Sequence, residues 1–145
     1  MSLNQAAVFE FVKSCARRKY VFGEFDCLTF TNEAFRAAWG WGYADDWIGK
    51  YHNGGELVKP KLLQARVGAS SFEEAIGRKL VQQPVSFLGR GSIIMADTGH
   101  SFPYTEGALG IITGRVAMCV GLEGLVPVNI QDIQKGWAPC LLSQQ

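Results

Sequence analysis

Cys27 is the residue of this chain best placed to do chemistry. It follows Asp26, whose carboxylate can accept the orphan amide hydrogen bonds of a helix expected over Cys27–Trp39. The thiol then falls on the first helical residue, where backbone N–H groups and the positive end of the helix dipole favour a thiolate. The adjacent Asp26 opposes part of that effect. A nucleophilic cysteine also needs an imidazole to take its proton and a further group to orient the imidazole. The sequence holds two histidines, His52 and His100. His100 belongs to the loop Asp97-Thr98-Gly99-His100-Ser101, which could fold back over Cys27, whereas His52 reads as a surface side chain. Position alone also fits a bland role for Cys27, that of a small core residue at a helix start.

The remaining cysteines narrow the chemistry. Cys15, Cys27, Cys119 and Cys140 make no Cys-x-x-Cys pair and have no paired histidine spacing, so the sequence indicates neither a metal site nor a disulfide framework. No cofactor is expected. With 145 residues, 48% of them hydrophobic and 19% charged, the chain is read as one domain able to bury a core. A formal charge of +1 supplies no polyelectrolyte attraction to nucleic acid or to an anionic membrane. No apolar run approaches the ~20 residues of a membrane span. The opening stretch lacks the basic segment, apolar core and cleavage site of a secretory leader, so synthesis and residence in the cytoplasm are expected.

The elements that must position Cys27 follow from periodicity. Val8, Phe11, Val12 and Cys15 recur at helical spacing, which predicts a helix over residues 5–19 with Arg17, Arg18 and Lys19 in its last turn, a solvated face favoured by the dipole. The Cys27 helix is apolar on two faces and should be central. Residues 40–53 read as a loop rich in aromatics. Pro60 suits a first helical turn or a break, and Ser71 with Glu74 forms a capping pattern for a helix to about Leu80. From Pro84 the pattern changes to short β-type runs at 92–96, 109–113, 116–120 and 125–128, joined by glycine turns that force antiparallel pairing. The fold class is therefore α+β, with N-terminal helices packed on a C-terminal antiparallel β-sheet. The cluster Trp39, Trp41 and Trp47 either closes the core edge or forms an aromatic binding patch.

The string Phe22-Gly23-Glu24-Phe25-Asp26-Cys27, followed by Phe30 and a helix leading into a β-meander, resembles the nucleophile region of NlpC-type cell-wall peptidases, small members of the papain-like cysteine peptidase superfamily. The chain is more similar still to a group of short phage and prophage proteins of unknown function, domain of unknown function 6950. The counterparts here are Phe22-Gly23 with Asp26-Cys27, Gly49-Lys50-Tyr51, Arg90-Gly91-Ser92-Ile93-Ile94, Ala108-Leu109-Gly110-Ile111-Ile112 and Trp137. In active NlpC-type enzymes the strand that begins here at Ala108 begins with the catalytic His, and the next strand supplies its polar orienting residue. Here that second place is the apolar run Val116-Ala117-Met118-Cys119.

The resemblance thus implies a degenerate peptidase site in a virion component, most specifically at the tail tip. Its expected partners are other phage tail proteins or a cell-wall peptide. Phe22, Asp26, Trp47 and Tyr51 are candidate binding residues. The rival is an active hydrolase using Cys27 and His100, with amides at the helix start as the oxyanion site. A binding module using the tryptophan surface is the third reading. On the cysteine reading, thiol titration of protein unfolded without reductant, with reoxidation blocked, is expected to count four thiols; a count of two or zero would contradict it.

Overall fold

The computed structural model describes residues 2–140. Helix α1 spans Gln5–Ser14, capped by the Asn4 side chain, which accepts from Ala7 N at 3.0 Å. It stops well short of Lys19. After Ser14 the chain tightens through Cys15 N to Val12 O and Arg18 N to Cys15 O, then runs beside a later hairpin, with Leu125 N donating to Ala16 O at 3.0 Å and Tyr20 N to Leu122 O at 3.4 Å. Tertiary bonding outcompetes helix extension here, so Lys13 is the basic residue of the last turn and Arg17 to Lys19 lie beyond it.

Helix α2, Cys27–Trp39, begins and ends where the sequence predicts, with Asp26 as its cap and Gly40 at φ 89° closing it in the left-handed conformation that glycine adopts without strain. Its side chains Leu28, Phe30, Ala34 and Phe35 are at most 1% exposed. Each large apolar group so buried is worth ~1.5–3 kcal/mol, which makes α2 the main apolar spine. It contacts α1 and the later strands at 108–112 and 116–121.

Next comes a small hairpin, β1 (His52–Asn53) with β2 (Glu56–Leu57). Helix α3, Pro60–Val67, uses Pro60 in its first turn as its fixed φ allows. Helix α4, Phe72–Gly77, starts at the Ser71 cap, whose hydroxyl accepts from Glu74 N at 3.1 Å; it ends before Leu80.

Six strands then form one antiparallel sheet: β3 (Val81–Gln83), β4 (Ile93–Ala96), β5 (Ala108–Ile112), β6 (Val116–Gly121), β7 (Gly124–Asn129) and β8 (Ile133–Ala138), in the order β3-β8-β4-β5-β6-β7. The architecture is α+β. Strands β4 and β5 are buried throughout. Two strands of this sheet, like the two of the small hairpin, were not expected. In β8 the run Ile-Gln-Lys-Gly-Trp-Ala does not alternate, yet it lies inside the sheet between β3 and β4 with Trp137 1% exposed. Strand β3 is a three-residue edge of Val and two Gln, held by pairing with β8 rather than by burial.

Gly110 is a tight point in the sheet: a Cβ there would lie 2.6 Å from Cys119 Sγ and 2.7 Å from Met118 O. Gly110→Ala is expected to cost ~1–3 kcal/mol by overpacking, measured by urea denaturation. Gly77→Ala, where an added Cβ meets nothing within 4 Å, is expected to be neutral or to stabilise by up to ~1 kcal/mol. Equal costs at the two positions would refute this account of the packing.

Candidate functional site

The start of α2 is built around the Asp26 carboxylate, which is fully buried. Its Oδ1 accepts from Leu28 N at 3.0 Å and Thr29 N at 2.9 Å, and its Oδ2 accepts from Gly23 N at 2.8 Å and Tyr51 Oη at 2.6 Å. Every partner is a donor, the set an ionised carboxylate uses. Thr29 Oγ1 returns the favour by accepting from Asp26 N at 2.8 Å, completing a capping box. The sequence predicts the cap but not its reciprocal partner, because Glu or Gln rather than Thr is the usual residue at the third helical position.

Three of the candidate binding residues converge here. Tyr51 bonds Asp26 directly, and Phe22 stacks edge-on to Tyr51 with ring centroids 5.4 Å apart. Asp26, Tyr51 and Trp47 are all at most 3% exposed, and Trp47 lies further along the same aromatic cluster, against Tyr43 and Phe72. His52 packs on the outside of this cluster: its ring sits over Gly23, where a Cβ would come within 2.6 Å of Nε2, while Nδ1 accepts from Gly55 N at 3.1 Å. Trp39 is 8% exposed and donates from Nε1 to Gly91 O at 3.1 Å; Trp41 is half-buried, edge-on to Phe35.

Cys27 lines a cleft of about 210 Å³ together with Tyr20, His100, Ser101, Phe102, Ala108, Val120 and Leu122. The fold thus brings Cys27, Ala108 and His100 to one place. Ala108, the first residue of β5, contributes only a methyl group to the cleft wall. His100 is exposed, and it reaches the cleft from a loop that becomes fastened two residues later. There Phe102 is 2% exposed against Phe22, Tyr51 and Phe72, and its N–H donates to Gly107 O at 3.1 Å. Tyr20, Phe102, Val120 and Leu122 carry no local signal of membership in a site; they meet because the segment after α1 runs beside the β6–β7 turn.

The thiol of Cys27 is 4% exposed. Burial pushes its pKa up from 9.0 to about 12; backbone hydrogen bonds from Leu109, Val120 and Cys27 itself pull the other way, and the Asp26 charge adds to the rise. The expected helix-start activation is therefore outweighed. Moreover, Leu28 N and Thr29 N are occupied by Asp26, which removes two of the amides on which an oxyanion site at the helix start would draw. Burial, with smaller contributions from Asp26 and Cys27, raises Tyr20 to about 12, and Tyr51 rises for the related reasons of burial and the Asp26 charge. Cys119 is likewise raised to about 12, chiefly by burial. Among the described residues no group of three or more His, Cys, Asp or Glu side chains is arranged to hold a metal ion.

The family model described as Domain of unknown function (DUF6950) matches residues 2–138. No curated protein and no solved structure matches the chain.

Removing the Tyr51 hydroxyl leaves the buried Asp26 Oδ2 one donor short, and Tyr51→Phe is expected to cost ~1–3 kcal/mol. Asp26→Ala should cost more, ~3–5 kcal/mol, since it deletes a helix cap and strands the Tyr51 and Gly23 donors. Chemical denaturation of both variants checks the ranking; an Asp26→Ala cost within ~0.5 kcal/mol would show that the carboxylate does not organise the site.

Proposed function

The chain belongs to the DUF6950 family, a domain of unknown function, and from that premise we propose that it is an NlpC-like domain with a degenerate peptidase site that serves in virion assembly at a phage tail tip. The observation that carries this reading is the pairing of Cys27 with Ala108 in one cleft. A thiol held near pKa 12 is neutral at physiological pH. The β5 residue nearest in role to a general base has only a methyl group to offer. Loss of a general base costs ~10²–10⁴ in rate or more, and helix-start amides cannot donate the proton that a leaving amine requires. What remains is a folded domain with a cleft and no reactive pair, which suits a binding or structural role. The likeness of the Phe22 to Cys27 string to the nucleophile region of cell-wall peptidases, and of the whole motif order to short phage proteins, supplies the virion setting.

One observation favours a second reading, an active cysteine peptidase or amidase acting on cell-wall peptides. His100 lines the same cleft as Cys27, and an imidazole brought within hydrogen-bond reach would serve as base and acid in turn. The aromatic-patch module has less support, because Trp39 and Trp47 are at most 8% exposed.

Turnover of a purified muropeptide by the wild type, Cys27→Ala and His100→Ala proteins separates the first two readings. We expect no rate that depends on Cys27, together with recovery of the protein in assembled particles when it is expressed with its phage. Turnover abolished in both variants would replace the proposal with the hydrolase.

A further inference from the structure

We propose that Asn53 is a site of spontaneous covalent modification, at which the backbone nitrogen of Gly54 attacks the Asn53 side-chain amide and the residue ends as aspartate or isoaspartate. The reaction needs neither the Cys27 cleft nor a partner. The chain holds four asparagines, Asn4, Asn32, Asn53 and Asn129, in different surroundings. Asn4 caps α1, its Oδ1 accepting from Ala7 N at 3.0 Å, and the bulkier Gln5 follows it. Asn32 is 2% exposed within α2, where Nδ2 donates to Asp45 Oδ1 and Oδ1 accepts from Ala44 N, each at 2.8 Å. Asn129 precedes Ile130, whose branched side chain crowds its own backbone nitrogen. Asn53 alone precedes a glycine.

The first hairpin presents both reacting groups. Residues 53–56 are exposed, and around Gly54 there is open space, with nothing within 4 Å of where a Cβ would stand. The Gly54 N–H makes no hydrogen bond among the described residues, so ring closure sacrifices none. Arg66, on α3, donates from Nη1 to Asn53 Oδ1 at 3.4 Å and to Lys50 O at 3.2 Å. Its guanidinium thus faces the oxygen on which negative charge develops during the attack, which polarises Cγ toward the nucleophile. In closing the ring, the Gly54 nitrogen forms a bond to Asn53 Cγ and gives up its proton; the Cγ–Nδ2 bond breaks and ammonia leaves, with solvent carrying the proton. Water then opens the succinimide. Attack at Cγ restores the ordinary linkage and leaves aspartate, whereas attack at the main-chain carbonyl leaves Gly54 joined through Cγ, an isoaspartate. Overall, water is consumed and ammonia released, and nothing is oxidised or reduced.

The place of the hairpin gives the modification a structural consequence. Asn53 pairs with Glu56 and His52 with Leu57 across a two-residue turn in which Gly54 and Gly55 have φ of 60° and 90°. Gly55 N donates to His52 Nδ1 at 3.1 Å, and the His52 ring packs over Gly23 and against Tyr51 and Phe22, with centroids 5.3 and 5.9 Å away. Aspartate keeps this backbone path. Isoaspartate inserts a methylene into the main chain between residues 53 and 54, which shifts Gly55 relative to His52. The imidazole then loses the amide that holds it over Gly23, whose own N–H binds the Asp26 carboxylate.

The test ages the folded full chain in mildly alkaline buffer and follows, by peptide mass spectrometry, the exchange of amide for acid at each asparagine, with fragmentation that separates isoaspartate from aspartate. Asn53 is expected to convert at least tenfold faster than Asn4, Asn32 or Asn129, with isoaspartate among its products. Arg66→Gln, at an exposed position, should slow the conversion severalfold. In NMR spectra of the aged protein the Gly23 and Gly55 amides of the isoaspartate form should move further from their wild-type positions than they do in Asn53→Asp. Conversion of Asn53 no faster than of the other asparagines, or aspartate formed without isoaspartate, would overturn the proposal. A rate unchanged or raised in Arg66→Gln would overturn the role given to Arg66, and shifts equal to those of Asn53→Asp would overturn the coupling to His52 and Gly23.

Discussion

The Asp26 carboxylate has been taken out of water, makes no ion pair among the described residues, and is held by four hydrogen bonds from donors on three different stretches of chain. Burying a charge this way is costly unless its lone pairs are filled, and here the filling fixes geometry. Leu28 N and Thr29 N set where α2 starts, Gly23 N sets the path of the turn before it, and Tyr51 Oη ties both to the segment that leads into the first hairpin. Because α2 in turn contacts α1, β5 and β6, the position of this one carboxylate propagates to the cleft that Cys27 lines. Displacing it would move the helix start, the aromatic cluster around Tyr51 and the floor of the cleft together.

The same interaction decides the character of the thiol. A helix N-terminus stabilises an anion by ~0.3–1 kcal/mol in ordinary settings, and at this helix the nearest amides already serve Asp26. The sulfur is left with burial and a neighbouring negative charge, both of which favour the protonated form, against hydrogen bonds from the backbone of Leu109, Val120 and Cys27 that favour the anion. Burial wins. An imidazolium at position 108 would change that balance by adding a positive charge at close range, and the methyl group of Ala108 adds none.

How far the sequence discloses this depends on the range of each interaction. The Asp26 cap, Cys27 as first helical residue, Trp39 as the last, Pro60 as a first-turn residue or a break, and Ser71 as cap are all local, and each is legible from neighbouring residues. The end of α1 was not, because hydrogen bonds from Leu125 and Tyr20 to partners more than a hundred residues distant in sequence override the helical periodicity. Strand β8 was invisible for a related reason: its burial comes from a central place between β3 and β4, and nothing in a run containing Gln, Lys and Gly announces that. Of the cleft, Cys27, His100 and Ala108 could be singled out by residue type and motif order. Tyr20, Phe102, Val120 and Leu122 could not, since their membership is a product of topology. Asp26 and Tyr51 are both expected from the sequence as binding residues; the structure shows them hydrogen-bonded to each other and buried.

The protonation state of Cys27 decides most directly whether this cleft holds an activated thiol. An NMR titration of the chain labelled at cysteine Cβ, with Cys27 assigned by comparison with Cys27→Ser, reports that state without any substrate. The account predicts that the resonance keeps its thiol position through neutral pH and moves only on approach to about 12. A midpoint below pH 8, or a step shared with the His100 ring, would reveal an activated thiol and contradict it.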